Sequence, residues 1–143
     1  MILTEAEKLQ IESAIKAAEK ATSGEVRVHI ENKCSQANVL DRAAEVFATL
    51  KMHKTALRNG VLFYVAVKDK KFAILGDIGI NAKVEKGFWD EISTELKAFF
   101  KDNKLAEGLS IGIEKAGNQL KKHFPYQSND TNELSDEISF GNN

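Results

Sequence analysis

Val61 to Val67 (Val-Leu-Phe-Tyr-Val-Ala-Val) is a near-continuous apolar run, too short to span a bilayer and too uniform for a strand with one wet face. It predicts a strand covered on both sides, so the chain must supply helices for two layers. Lys68-Asp69-Lys70-Lys71 is a polar turn into a second strand, Phe72 to Leu75, and the two runs predict an antiparallel hairpin. The far ends of that hairpin carry Arg58-Asn59-Gly60 and Gly76-Asp77-Ile78-Gly79-Ile80-Asn81, two polar loops that the pairing makes neighbours.

Upstream, Thr4-Glu5-Ala6-Glu7 has the spacing of a capping box, and Leu9, Ile11, Ala14, Ile15 and Ala18 follow at helical period. A first helix is expected from Thr4 to Thr22 or Ser23, closed by Gly24 in the left-handed conformation. Val26, Val28 and Ile30 then alternate with Arg27, His29 and Glu31, the pattern of a strand with one more polar face. Asn38 caps a second helix built on Val39, Ala43, Val46, Phe47 and Leu50 and fading near Met52. Because that helix carries the chain back, the first strand and Val61–Val67 should run parallel. Phe88, Ile92, Leu96, Phe99 and Phe100 predict another helix, and Leu109, Ile113, Ala116 and Leu120 a last one. The order α-β-α-β-β-α-α defines an α/β fold, a three-layer α/β/α sandwich with a mixed sheet and Val61–Val67 at its centre. Residues 1–126 read as one domain. Residues 127–143 read as an acidic, flexible tail, in which Leu134, Ile138 and Phe140 keep an apolar rhythm that would allow docking.

Composition excludes several function classes. The net charge of −1 comes from interspersed charges with no basic stripe, so nucleic acid is not an expected partner. No apolar segment approaches the roughly 20 residues of a membrane span and no secretory leader is legible. The chain is therefore read as soluble, monomeric and cytoplasmic, or as a mature form whose leader has been removed. Cys34 is the single cysteine, which rules out an internal disulfide, a CxxC pair and a thiolate zinc cluster. His29, His53 and His123 fall on three elements, so no metal trio or nucleophile–base pair is argued from them, and each is read as structural or exposed. Neither a G-x-S-x-G elbow nor a glycine-rich phosphate loop is present.

The topology instead brings Ser23-Gly24-Glu25, Arg58-Asn59-Gly60 and the loop after the third strand to one sheet edge, where the first two helices also end. Carboxylates from Glu25 and Asp77 and amides from Asn59 and Asn81 are the oxygen donors that calcium or magnesium prefers. Asp77-x-Gly79-x-Asn81 reads either as an oxygen-donor loop or as turns in which Asp and Asn bond their own backbone. It is not an EF-hand, since Gly79 stands where a side-chain ligand belongs and Phe88 where the bidentate Glu would be. Arg58 is a candidate anion holder or a surface ion pair. Phe88 and Trp89 belong either to the core or to a wall over the loops.

These residues carry a resemblance. Ser23-Gly24-Glu25 before a strand, Asn59-Gly60-Val61-Leu62, Asp69-Lys70-Lys71, Gly76-Asp77-Ile78-Gly79-Ile80-Asn81 and Phe88-Trp89 together resemble the TPM domain family, also called the TPM phosphatase domain, over about Leu3 to Tyr126. The chain looks like a short, soluble, bacterial-type member. The resemblance implies a Rossmann-like sandwich, a divalent-cation site at the converging loops and, in some members, acid phosphatase activity. Asp77 and Asn59 match the family's loop residues best, with Glu25 next, and no agreed catalytic nucleophile maps here. Many members carry a leader and a membrane segment or low-complexity tail not seen in this sequence, so membrane-linked and photosynthetic roles are not expected. Three functions follow as alternatives: a calcium- or magnesium-binding module with a regulatory role, a metal-assisted phosphatase acting on phosphoesters, and a domain that binds a protein partner through its loops and acidic tail.

Overall fold

The structure is a computed structural model that describes residues 3–126 and 137–141. Helix α1, Glu5–Lys20, opens on the expected capping box: Glu7 N donates to Thr4 Oγ1 at 3.0 Å and Thr4 N to Glu7 Oε1 at 2.9 Å. It ends earlier than predicted, at Ala21, and Gly24 does not take a positive φ. Gly24 is needed for space instead, because a Cβ there would lie 2.6 Å from the Leu120 side chain. Strand β1, Glu25–Glu31, leads to α2, Val39–Thr49, whose first turn is capped by Asn38 Oδ1 accepting from Leu40 N at 2.8 Å. A 3-10 turn, Met52–Lys54, then feeds strand β2, Gly60–Ala66.

The apolar run behaves as its composition requires. All of β2 is buried, and it lies between β1, paired parallel, and β3, Lys71–Gly76, paired antiparallel. One face of the sheet sends Val26, Val28, Ile30, Val61, Phe63 and Val65 into a core shared with Ile11 and Ile15 of α1. That core is completed by two further helices, α4 (Phe88–Lys101) through Ile92 and Leu96, and α5 (Leu105–His123) through Leu109, Ile113 and Leu120. The other face packs Leu62, Tyr64 and Ala66 against Ala43 and Val46 of α2 and against Met52. Helices thus cover both sides, giving the expected α/β/α layering.

Two elements were not anticipated. Residues Ile78–Asn81 form a single helical turn, α3, where a loop was expected. Ser139–Phe140 form a short strand, β4, parallel to β1, so the described sheet runs β3-β2-β1-β4. Of the tail's apolar residues, Ile138 joins the main core, Phe140 pairs with Ile30, and Leu134 lies outside the described residues. Two glycines separate steric from conformational need. A Cβ on Gly79 would sit 2.2 Å from Leu57 O and 2.6 Å from Arg58 O, whereas Gly87 has φ +86° and nothing within 4 Å. Gly87→Ala should therefore cost about 1 kcal/mol of conformational strain. Gly79→Ala, which collides with backbone that cannot move aside, should cost about 2–3 kcal/mol. Urea unfolding of the two variants checks the order, and an equal or reversed cost would contradict the close approach at Gly79.

Candidate functional site at the loop edge

The parallel register sets Glu25 opposite Gly60, and Glu25 N donates to Asn59 O at 3.4 Å. From the other side, Asp77 N donates to Gly60 O at 2.9 Å and Gly79 N to Arg58 O at 2.8 Å. The three loops therefore do meet at one edge, stitched by backbone bonds.

Their side chains divide into satisfied and unsatisfied groups. Arg58, held at φ 52°, grips Asp77 with both arms: Nε to Oδ2 at 2.7 Å and Nη2 to Oδ1 at 2.8 Å. Asp77 Oδ1 also accepts from Ile78 N at 2.8 Å as the cap of α3. Asn81 is engaged as well, donating from Nδ2 to Gly76 O at 2.7 Å and accepting from Trp89 Nε1 at 2.8 Å. Trp89 meets Phe88 edge-on at 4.9 Å between ring centroids, and both rings pack against the core, so this pair walls the loop through Asn81 while contributing to packing. Asn59 is different. It is 1% exposed, beside a Glu25 that is itself buried, and both the oxygen and the nitrogen of its amide lack a hydrogen-bond partner among the described residues. Thr55 Oγ1, buried in the preceding loop, is in the same condition.

Among the described residues no three or more His, Cys, Asp or Glu side chains gather as a metal-binding group. A cation at this edge must therefore rely on amide and carbonyl oxygens beside at most two carboxylates, a donor set for a hard ion. Asn59 Oδ1 is an oxygen of that kind without a hydrogen-bond partner among the described residues, and the buried Glu25 lies next to its loop in the strand register. Arg58 and Asp77 balance one another's charge, so a cation at Asp77 or an anion at Arg58 must compete with their ion pair.

A second polar cluster, at the opposite end of β1, escaped the sequence reading. Buried Glu31 accepts from Arg42 Nε at 2.9 Å and Nη2 at 2.8 Å, from the Tyr64 hydroxyl, and contacts His29 Nε2 at 3.1 Å. Ser139 Oγ lies 2.9 Å from His29 Nδ1, and His29 stacks on Tyr64 with 11° between the rings. Burial alone would raise the Glu31 carboxyl, but the bonds from Arg42, Tyr64 and His29 outweigh it and bring the pKa down to about 2. Burial pulls His29 below the usual imidazole range against the opposing pull of Glu31, and burial followed by Glu31 pushes the Tyr64 phenol up. The available signal was the polar face of β1, whose Arg27, His29 and Glu31 had to be covered once a helix lay over that face.

A sequence model of the TPM domain matches residues 1–119, and the chain belongs to the TPM domain family. The solution structure of BA42 from the psychrophilic bacterium Bizionia argentinensis is similar at 50% identity, covering 99% of this chain and 97% of that one, with a TM-score of 0.89. The N-terminal domain of cg2496 from Corynebacterium glutamicum shares the fold at 10% identity and a TM-score of 0.65, over 82% of this chain and 74% of that domain. No curated protein matches. Among the described residues no helix is long and apolar enough to cross a membrane.

The Glu31 cluster yields a pH prediction. A carboxyl lowered from 4.5 to about 2 on folding contributes stability that is complete above 4.5 and lost as pH falls toward 2. His29, also lowered, acts in the same direction at its own higher range. Unfolding midpoints of the parent chain should therefore fall steeply over this acid range, while Glu31→Gln starts lower near neutrality and changes less. Parallel curves for the two proteins would contradict the assignment.

Proposed function

We infer that the loop edge binds a divalent cation, calcium or magnesium, through the Glu25 carboxylate and Asn59 Oδ1, with backbone carbonyls and water completing the shell. The observation that carries this reading is the Asn59 amide: 1% exposed, next to a buried carboxylate's strand position, and unsatisfied at both polar atoms among the described residues. A buried, unpartnered amide costs about 1–3 kcal/mol, so a folded chain that keeps one has a use for it. The Asp77–Arg58 clasp stands beside this pair and supplies a reserve carboxylate that enters the shell only when the clasp opens. Metal-assisted phosphoester hydrolysis, the alternative raised by the family, requires Arg58 to neutralise phosphate. With Arg58 committed to Asp77 in the resting chain, binding is favoured over catalysis.

Backbone amide NMR during calcium and magnesium titrations tests the reading, with the largest shifts expected at Glu25, Asn59 and Gly60 and a rise in thermal stability. Asn59→Leu should keep or raise metal-free stability, because it removes the orphaned amide, yet lose the metal response. Asp77→Asn should weaken that response less than Glu25→Gln. An unchanged calcium shift in Asn59→Leu would remove Asn59 from the site, and metal-stimulated release of phosphate from p-nitrophenyl phosphate would restore the enzymatic reading.

A further inference from the structure

Strand β4 delivers a hydroxyl to a histidine that is already oriented. Glu31 is ionised and can only accept, so His29 Nε2, 3.1 Å from its Oε1, must carry the ring proton. In the neutral imidazole favoured by burial, Nδ1 is then a lone pair facing Ser139 Oγ at 2.9 Å, and the serine is forced to donate. Arg42 and Tyr64 hold the carboxylate from its other sides, so Glu31 does not depend on His29 for compensation. Gly141 leaves the room this requires, since a Cβ there would stand 2.6 Å from Glu31 Oε1. His29 and Glu31 are buried while Ser139 is only half-buried, so the serine is the least enclosed of the three.

We propose that Ser139, His29 and Glu31 form a serine–histidine–carboxylate relay that hydrolyses small carboxylic esters through an acyl intermediate on Ser139. Such a relay is defined by roles and geometry and not by the order of residues in the chain, and here the ring faces the serine through Nδ1. Ser139 Oγ attacks the carbonyl carbon as its proton passes to His29 Nδ1, and Glu31 holds the resulting imidazolium. Collapse of the tetrahedral adduct breaks the ester C–O bond, and the leaving alkoxide takes the proton from Nδ1 and departs as an alcohol. Water then adds to the acyl carbon with loss of a proton to Nδ1. Expulsion of Ser139 Oγ, which regains that proton, releases the carboxylic acid. No oxidant or cofactor enters the balance.

The full-length chain should be incubated with a fluorophosphonate and mapped by mass spectrometry, and separately assayed with p-nitrophenyl acetate. One adduct on Ser139 is expected, and Ser139→Ala should lose both adduct and turnover while its amide spectrum stays that of the folded parent. His29→Gln, which keeps a hydrogen-bonding side chain beside β4, should slow labelling by about 100-fold, the scale of a lost general base. Absence of an adduct, an adduct on another residue, or turnover that survives Ser139→Ala would overturn the proposal.

Discussion

Everything in this fold depends on β2 being dry on both faces. A strand with Val61, Phe63 and Val65 on one side and Leu62, Tyr64 and Ala66 on the other has no surface to offer water. Two helical layers must close over it, and the register of its neighbours follows. A slip of one residue would send the large Phe63 and Tyr64 rings each into the layer shaped for the other. Packing therefore fixes which residues of β1 and β3 stand at the strand ends, and those are the residues with chemistry.

The two ends of β1 show what a buried carboxylate demands. At Glu31 the compensation is internal, with a guanidinium, a phenol and an imidazole converging on one carboxylate. At Glu25 the adjacent loop sets an amide, Asn59, without a hydrogen-bond partner among the described residues, while Arg58 of the same loop is clasped by Asp77. One end is closed by the chain's own side chains; the other sets a buried carboxylate beside a buried amide, the pairing on which the proposed cation site rests. The same polar face of the same strand thus generates both clusters.

Much of this was legible in the sequence. The apolar run announced a central strand, the glycine-bearing loops announced the converging edge, and the Thr4 and Asn38 caps placed two helix starts correctly. The failures have physical causes. Gly24 was read as a left-handed terminator, but it is small because Leu120 packs on it, a constraint from α5 that no local pattern reveals. The pattern Asp77-x-Gly79-x-Asn81 suits a ligand loop and a self-bonded turn equally; its helical turn arises because Gly79 can nest against Leu57 O and Arg58 O. The pairing of Ser139 with His29 spans 110 residues and runs through a two-residue strand, too short to leave a periodic signal. Arg58 and Asp77 were each recognised, yet their mutual neutralisation is a distance, and distances are what a sequence withholds.

The buried strand, through the backbone bonds at its start, holds the loop edge in place, so that site geometry is a property of the core. Native-state hydrogen exchange on the amides of Asp77 and Gly79, which bond Gly60 O and Arg58 O, measures it directly. Both should exchange with the slow class of Val61–Val65, through global unfolding. Fast exchange at Asp77 and Gly79 while β2 stays protected would show that the edge opens independently, and would contradict the claim.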